Sequence, residues 1–325
     1  MPSLFSPQRR YDRKKTEDAL AIGVALGVIV VFAFLPSAGV DLRFSYLPVA
    51  HGDLEDFYNP YWLRPLFEAL AWLPFSLAYG LLSLGSLVAL VVATRVFQGR
   101  LIHVLLTYPF FFLLFYGQID ALVVLGLALS WWALERDRPW WMGVGFALAA
   151  LKPQISLAAL ILLWWWLSPS ARLKSLAVPL GVVLASVLRY GWWFPGWWHH
   201  LFHGPLYRHG SITLWEVVGP WALLLWLPVF FVRLPRVKKL LLVLTVSALT
   251  MPYYQQHSLV MLQVFPIGWI SWWSNVGFLF FYFRWGILRW IVLLPLVVYL
   301  RCLWRGQPWL AWPRTSGSPE TRGKG

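Results

Sequence analysis

A succession of apolar runs, several close to the length of a bilayer crossing, constrains this chain more tightly than any other feature. The first, Ala19–Leu35, holds 17 residues without one charge, against the roughly 20 that cross a hydrocarbon core as a helix. Hydrophobic residues make up 59% of the 325 and charged residues only 12%, which excludes a water-soluble core inside a polar shell. Peptide groups in lipid must pair within the chain, so a spanning segment is a helix or a strand of a closed barrel. The runs lack the strict apolar–polar alternation of barrel strands. The expected fold is therefore all-α, a polytopic integral membrane protein with about 10–12 transmembrane helices.

The formal charge of +14 would draw a soluble protein toward nucleic acid, but here Lys and Arg occupy the short segments between apolar runs, where they set orientation. No nucleic-acid partner is expected. Arg9, Arg10, Arg13, Lys14 and Lys15 precede the first run, which reads as a retained signal anchor with its basic side in the cytoplasm. The expected organisation is a basic segment 1–18, a multi-span body 19–303 and a flexible tail 304–325. Cys302 is alone, so neither an intrachain disulfide nor a cysteine metal cluster can form.

If the basic segments near Arg100, Arg136, Arg172 and Arg236 all face inward, an even number of crossings separates each neighbouring pair. The 34 residues between Arg100 and Glu135 allow two crossings, with Gly117-Gln118 at the outer turn. The 29 between Arg138 and Ser168 allow only two short arms, with Lys152-Pro153-Gln154 at the apex. Each arm reaches roughly 20 Å against a core of about 30 Å, so Lys152 is expected to sit recessed below the outer surface. Further crossings are expected over Leu176–Leu188, Trp215–Val232, Leu240–Tyr253 and Leu259–Trp273.

This map gathers the sparse polar residues of the membrane body at one face, which is a functional-site hypothesis by default. Asp41 lies six positions beyond the first run, beside apolar walls that raise a carboxyl's proton affinity and suit it to act as general base toward an alcohol. Lys152, Arg189 or Arg208 can neutralise the charge on a departing phosphate, and His257 can bind that phosphate or assist proton transfer. Gln118 joins them at the outer turn. Asp53, Glu55 and Asp56 read as solvated loop charges, and neither a metal nor another cofactor is expected.

The segments that carry these residues follow a recognisable order. Asp41-Leu-Arg-Phe-Ser-Tyr46 precedes Ala50, Gly52 and Tyr58-Asn-Pro60; then come Gly117-Gln118-Ile-Asp120, Gly143-Val-Gly145 running to Leu151-Lys152-Pro153, and Pro252-Tyr-Tyr-Gln-Gln-His257. Together they resemble the polyprenyl-phosphate-dependent membrane glycosyltransferases of the GT-C fold, specifically glycosyltransferase family 87, related to bacterial mannosyl- and arabinosyltransferases. The resemblance implies an inverting transfer of a mannose-like or arabinose-like sugar from a lipid-linked donor to a glycolipid or glycan acceptor. It implies Asp41 as the base, and Lys152 and His257 at the donor phosphate. It also implies a plasma-membrane protein with a cytoplasmic N-terminus and an extracytoplasmic active face. Two positions depart from the family pattern: Gln255 stands where it has Trp and Tyr254 where it has Ser, which bears on acceptor contacts.

Two other classes compete. A transporter or flippase of lipid-linked sugars would need polar residues along a path through the membrane, and the inner half of this map is poor in them. A non-catalytic cell-envelope scaffold would tolerate the loss of Asp41.

Overall fold

The structure, a computed structural model, describes residues 7–203, 211–279 and 290–304. It opens with α1, Pro7–Phe34, which runs without a break through the expected boundary at residue 18. A π-helical turn, Leu42–Tyr46, and a 3-10 turn, Leu47–His51, carry the chain to the short amphipathic α2, Arg64–Leu70. The long α3, Phe75–Val96, and the short α4, Ile102–Leu105, lead into α5, Tyr108–Tyr116. Then follow α6, Asp120–Glu135, α7, Pro139–Ala149, α8, Pro153–Trp165, and α9, Pro169–Tyr190. Proline occupies the first turn of α5, α7, α8 and α9, where its fixed φ suits the helix and its missing N–H costs nothing.

The remaining helices are α10, Phe194–His203, α11, Trp215–Val218, α12, Leu227–Phe231, α13, Arg236–Thr250, α14, Val260–Gln263, and α15, Leu293–Leu303. Helix α13 is the centre of the bundle, since every residue from Leu240 to Thr250 is buried. Its hydroxyls turn back onto their own helix: Thr245, Ser247 and Thr250 donate to the carbonyls of Leu241, Val243 and Val246. That leaves none of these three hydroxyls unpaired in an apolar interior.

Among the described residues three helical segments are long and apolar enough to cross a membrane, Lys14–Phe34, Phe75–Val96 and Pro169–Tyr190; a fourth arises if α5 and α6, bent by 118°, are one span. On α3 the exposed residues Leu77, Leu81, Leu84, Val88 and Val92 recur every three or four positions, while Tyr79, Ser86, Leu90 and Ala93 face the core. An apolar stripe so continuous suits acyl chains rather than water. The all-α membrane fold is as expected, but the apolar segments are not all single long spans. Trp215–Val232 is broken at Gly219, with φ +58°, and by Pro220 and Pro228. Leu259–Trp273 is broken at Pro266-Ile267-Gly268 and continues as a 3-10 helix, Gly268–Leu279.

The two short arms foreseen around Lys152 are α7 and α8. Helix α7 meets α6 through a close backbone contact: a Cβ added to Gly126 would come within 2.4 Å of the Ala149 nitrogen, and one on Gly145 within 2.6 Å of the Gly126 carbonyl oxygen. Small residues let helix backbones touch in this way. Gly126→Ala is accordingly expected to destabilise the protein by about 1–3 kcal/mol, the usual cost of overpacking, read as a lowered midpoint of thermal unfolding in detergent. An unchanged midpoint would show that α6 and α7 can separate freely.

Candidate functional site

The site is assembled by four breaks in helical structure. The first follows α1: Gly39, with φ +70°, donates its N–H to the Phe115 carbonyl at 2.7 Å, pinning the turn that starts at Asp41 against the end of α5. Leu42 and Tyr46 then face inward, and Tyr46 stacks on Phe67 of α2 with ring centroids 4.4 Å apart.

Gly117 makes the second break. It sits in the left-handed region at φ +71° and donates to the Leu114 carbonyl, while Gln118 N–H bonds the Leu113 carbonyl. This paired closure of the last turn ends α5 sharply. It delivers Gln118 to the pocket and makes Asp120 the first residue of α6.

The third break is the α7–α8 apex, which carries Lys152 immediately before Pro153, and the fourth is the 3-10 turn Gln256–Leu259. That turn is tied down by an isolated antiparallel bridge between Ser211 and Gln255 and by Ile212 N–H donating to the Tyr254 carbonyl at 3.0 Å.

Side chains from all four breaks join in one chain of polar contacts. The Gln118 amide nitrogen donates to the Asp41 carboxylate. The Gln118 amide oxygen accepts from the Tyr46 hydroxyl at 3.0 Å and from the Lys152 ammonium at 2.6 Å. These three partners fix which way the amide points, because only its nitrogen can donate to a carboxylate. Lys152 also donates to Asp120 Oδ2 at 2.5 Å, and Asp120 Oδ1 accepts from the Ser258 hydroxyl at 2.5 Å. His257 Nε2 lies 3.5 Å from the same Asp120 Oδ2.

A pocket of about 110 Å³ opens beside this chain. Asp41, Gln118, Lys152 and Tyr46 form one part of its wall, and Ser45, Asp56, Tyr58, Asn59, Gln154 and Tyr253 the rest. A smaller cavity of about 30 Å³ adjoins it, sharing Gln118, Lys152, Gln154 and Tyr253 and reaching His257 and Ser258.

The electrostatics suit proton transfer. Burial pushes the Asp41 carboxyl up to about 7; Lys152 pulls the other way, and the Asp120 and Asp56 carboxylates push it further up. Burial holds the His257 imidazole down at about 4, against the upward pull of Asp120 and together with the repulsion of Lys152. His257 is thus neutral near pH 7, and Lys152 is the cation that faces the pocket.

The structure brings Asp41, Gln118, Lys152 and His257 together, as the sequence map expects. It does not bring Arg189 to them. That residue ends α9, its side chain is 59% exposed, and it donates to Glu68 of α2 at 2.6 Å, in a cluster with Arg64 and Tyr190. Arg208 lies outside the described residues. Of the three loop acids, Asp53 and Glu55 are exposed, whereas Asp56 turns into the pocket wall because the neighbouring Phe57 is anchored in the core. Nothing in a run of acids distinguishes that one. Among the described residues no group of three His, Cys, Asp or Glu side chains is placed to hold a metal ion.

An all-α membrane protein with a pocket lined by a carboxyl raised by burial and by an ammonium holds groups that acid–base chemistry at a bilayer can use. The model of glycosyltransferase family 87 matches residues 57–267, more than half of the chain, and the chain belongs to that family. It is a membrane glycosyltransferase. The matched segment includes Gln118, Asp120, Lys152 and His257, while Asp41 lies ahead of it. No curated protein and no solved structure matches the chain.

Proposed function

We propose that the enzyme transfers a mannose-like or arabinose-like sugar from a polyprenyl-phosphate donor to the hydroxyl of a glycolipid or glycan acceptor, at the extracytoplasmic face of the plasma membrane. The observation that carries this reading is the pairing of a raised carboxyl with an ammonium across one small pocket. Asp41 accepts the proton of the acceptor hydroxyl as that oxygen bonds to the sugar's anomeric carbon. The bond from that carbon to the phosphate oxygen breaks with its electron pair leaving on the phosphate, whose charge Lys152 stabilises. A lipid-linked donor fits a recess beside α8, whose exposed Leu157, Ile161 and Trp165 form an apolar stripe, because its chain can remain in the bilayer while its phosphate enters.

The test is release of polyprenyl phosphate by purified protein supplied with synthetic polyprenyl-phosphate sugars, with or without acceptor, followed across pH. A base whose carboxyl titrates near 7 must lose its proton to act, so kcat/KM is expected to rise with pH and level off above about 7. A plateau that persists down to pH 5 would remove Asp41 from the base role. Turnover of nucleotide sugars and none of lipid-linked ones would remove the donor class.

A further inference from the structure

Asp120 is fully buried, carries charge, and lines neither cavity, yet from the α5–α6 break it touches two of the other segments that build the site. Its Oδ2 accepts from Lys152 at 2.5 Å, its Oδ1 accepts from Ser258 at 2.5 Å, and His257 Nε2 stands 3.5 Å from Oδ2. Its place in the first turn of α6 adds the helix N-terminus as a further reason for the carboxylate to stay ionised.

Lys152 explains what this arrangement does. Its four-carbon stem has the freedom to reach water from a helix end, as lysines near apolar surfaces do. Instead the side chain is 11% exposed and the ammonium points inward. Of its three N–H groups one goes to Gln118 and one to Asp120, so a third remains for a ligand in the pocket that Lys152 lines. Gln118 alone offers a neutral oxygen already shared with Tyr46. Without an anion beside it a desolvated ammonium is strongly disfavoured and leaves for water or loses its proton.

We propose that Asp120 is a positioning residue that holds the Lys152 ammonium inside the pocket with one N–H free for the donor's phosphate. The proposal rests on the reading of Lys152 as the phosphate-binding cation. It also sets aside the simpler expectation that a carboxylate near an anion site weakens it. Asp120 does subtract from the local positive potential, but the alternative to that subtraction is a cation that is no longer there.

Asp120→Asn keeps the shape and an oxygen for Ser258 and removes the charge. The probe is polyprenyl phosphate without sugar, titrated into detergent-solubilised protein and followed by tryptophan fluorescence, with thermal unfolding measured in parallel. Lys152→Met is expected to weaken binding about 10–100-fold, the range for losing a charge-assisted hydrogen bond. Asp120→Asn alone is expected to weaken it by at least about 10-fold. The double variant, in which two buried charges are removed together, is expected to bind no more weakly than Lys152→Met and to unfold at a higher temperature than Asp120→Asn.

Losses that multiply in the double variant would mean that Asp120 acts independently of Lys152 and would overturn the proposal. So would binding by Asp120→Asn that equals or exceeds wild type, since the carboxylate would then be neutral or a brake. If Asp120→Asn does not fold, the comparison of Lys152→Met with the double variant decides alone, and a further loss there overturns it. If Lys152→Met binds as wild type does, the phosphate reading of Lys152 fails and this proposal goes with it, which separates that failure from the others.

Discussion

Asp41→Asn is expected to reduce turnover by at least about 10²–10⁴-fold, the contribution of a well-placed general base, while leaving the affinity for polyprenyl phosphate within about twofold of wild type. Asn keeps an oxygen for the Gln118 amide, so the polar chain survives the change and only proton acceptance is lost. The same variant has a second signature. The Asp41 carboxyl is raised from 3.8 to about 7 in the folded protein, so ionising it opposes folding. Wild-type stability is therefore highest below about pH 4 on this account and falls as pH rises through about 7, where the carboxylate must form in place. Asn has no such dependence and is expected to be more stable at pH 8 by on the order of 2–4 kcal/mol, a difference that vanishes at pH 4. A variant that is inactive and also unstable at pH 8 would point to a structural role for Asp41 instead.

Lys152→Met carries the second large effect, and it has two parts. The apolar replacement removes the pocket's ammonium and is expected to raise the donor KM by about 10–100-fold. It also leaves the Asp120 carboxylate at zero exposure without its ammonium partner, a loss of about 3–5 kcal/mol that lowers the unfolding midpoint. Saturating donor should recover part of the rate if Lys152 binds the ground-state phosphate, and little if it acts on the charge that develops as the phosphate departs. A KM that does not move would exclude Lys152 from the donor site altogether.

Much of this arrangement is legible in the sequence. The length between basic segments limits α7 and α8 to short arms and puts Lys152 at their apex. Gly117 marks the turn between α5 and α6 because a left-handed residue is what closes a helix end so sharply. Both inferences rest on local chain geometry, which the sequence carries directly. The interruptions within the later apolar segments are less legible, because hydropathy adds up across Gly219 or Pro266 as though the helix continued. Partner choice is less legible still. Arg189 and Lys152 are equivalent cations in a sequence map, but Glu68 engages the first at a half-exposed position and Asp120 holds the second inside. Asp56 differs from Asp53 and Glu55 only in the fold of the loop around it.

Gln118 has a consequence that its three contacts do not state separately. An acid and an ammonium allowed to touch in a dry recess would cancel, and the acid would be left with no appetite for a further proton. With one neutral amide between Asp41 and Lys152, the two groups feel each other's charge without direct contact and are mechanically joined. On the proposed mechanism, whatever shifts the ammonium as a phosphate arrives or departs also tugs on the carboxylate through that amide.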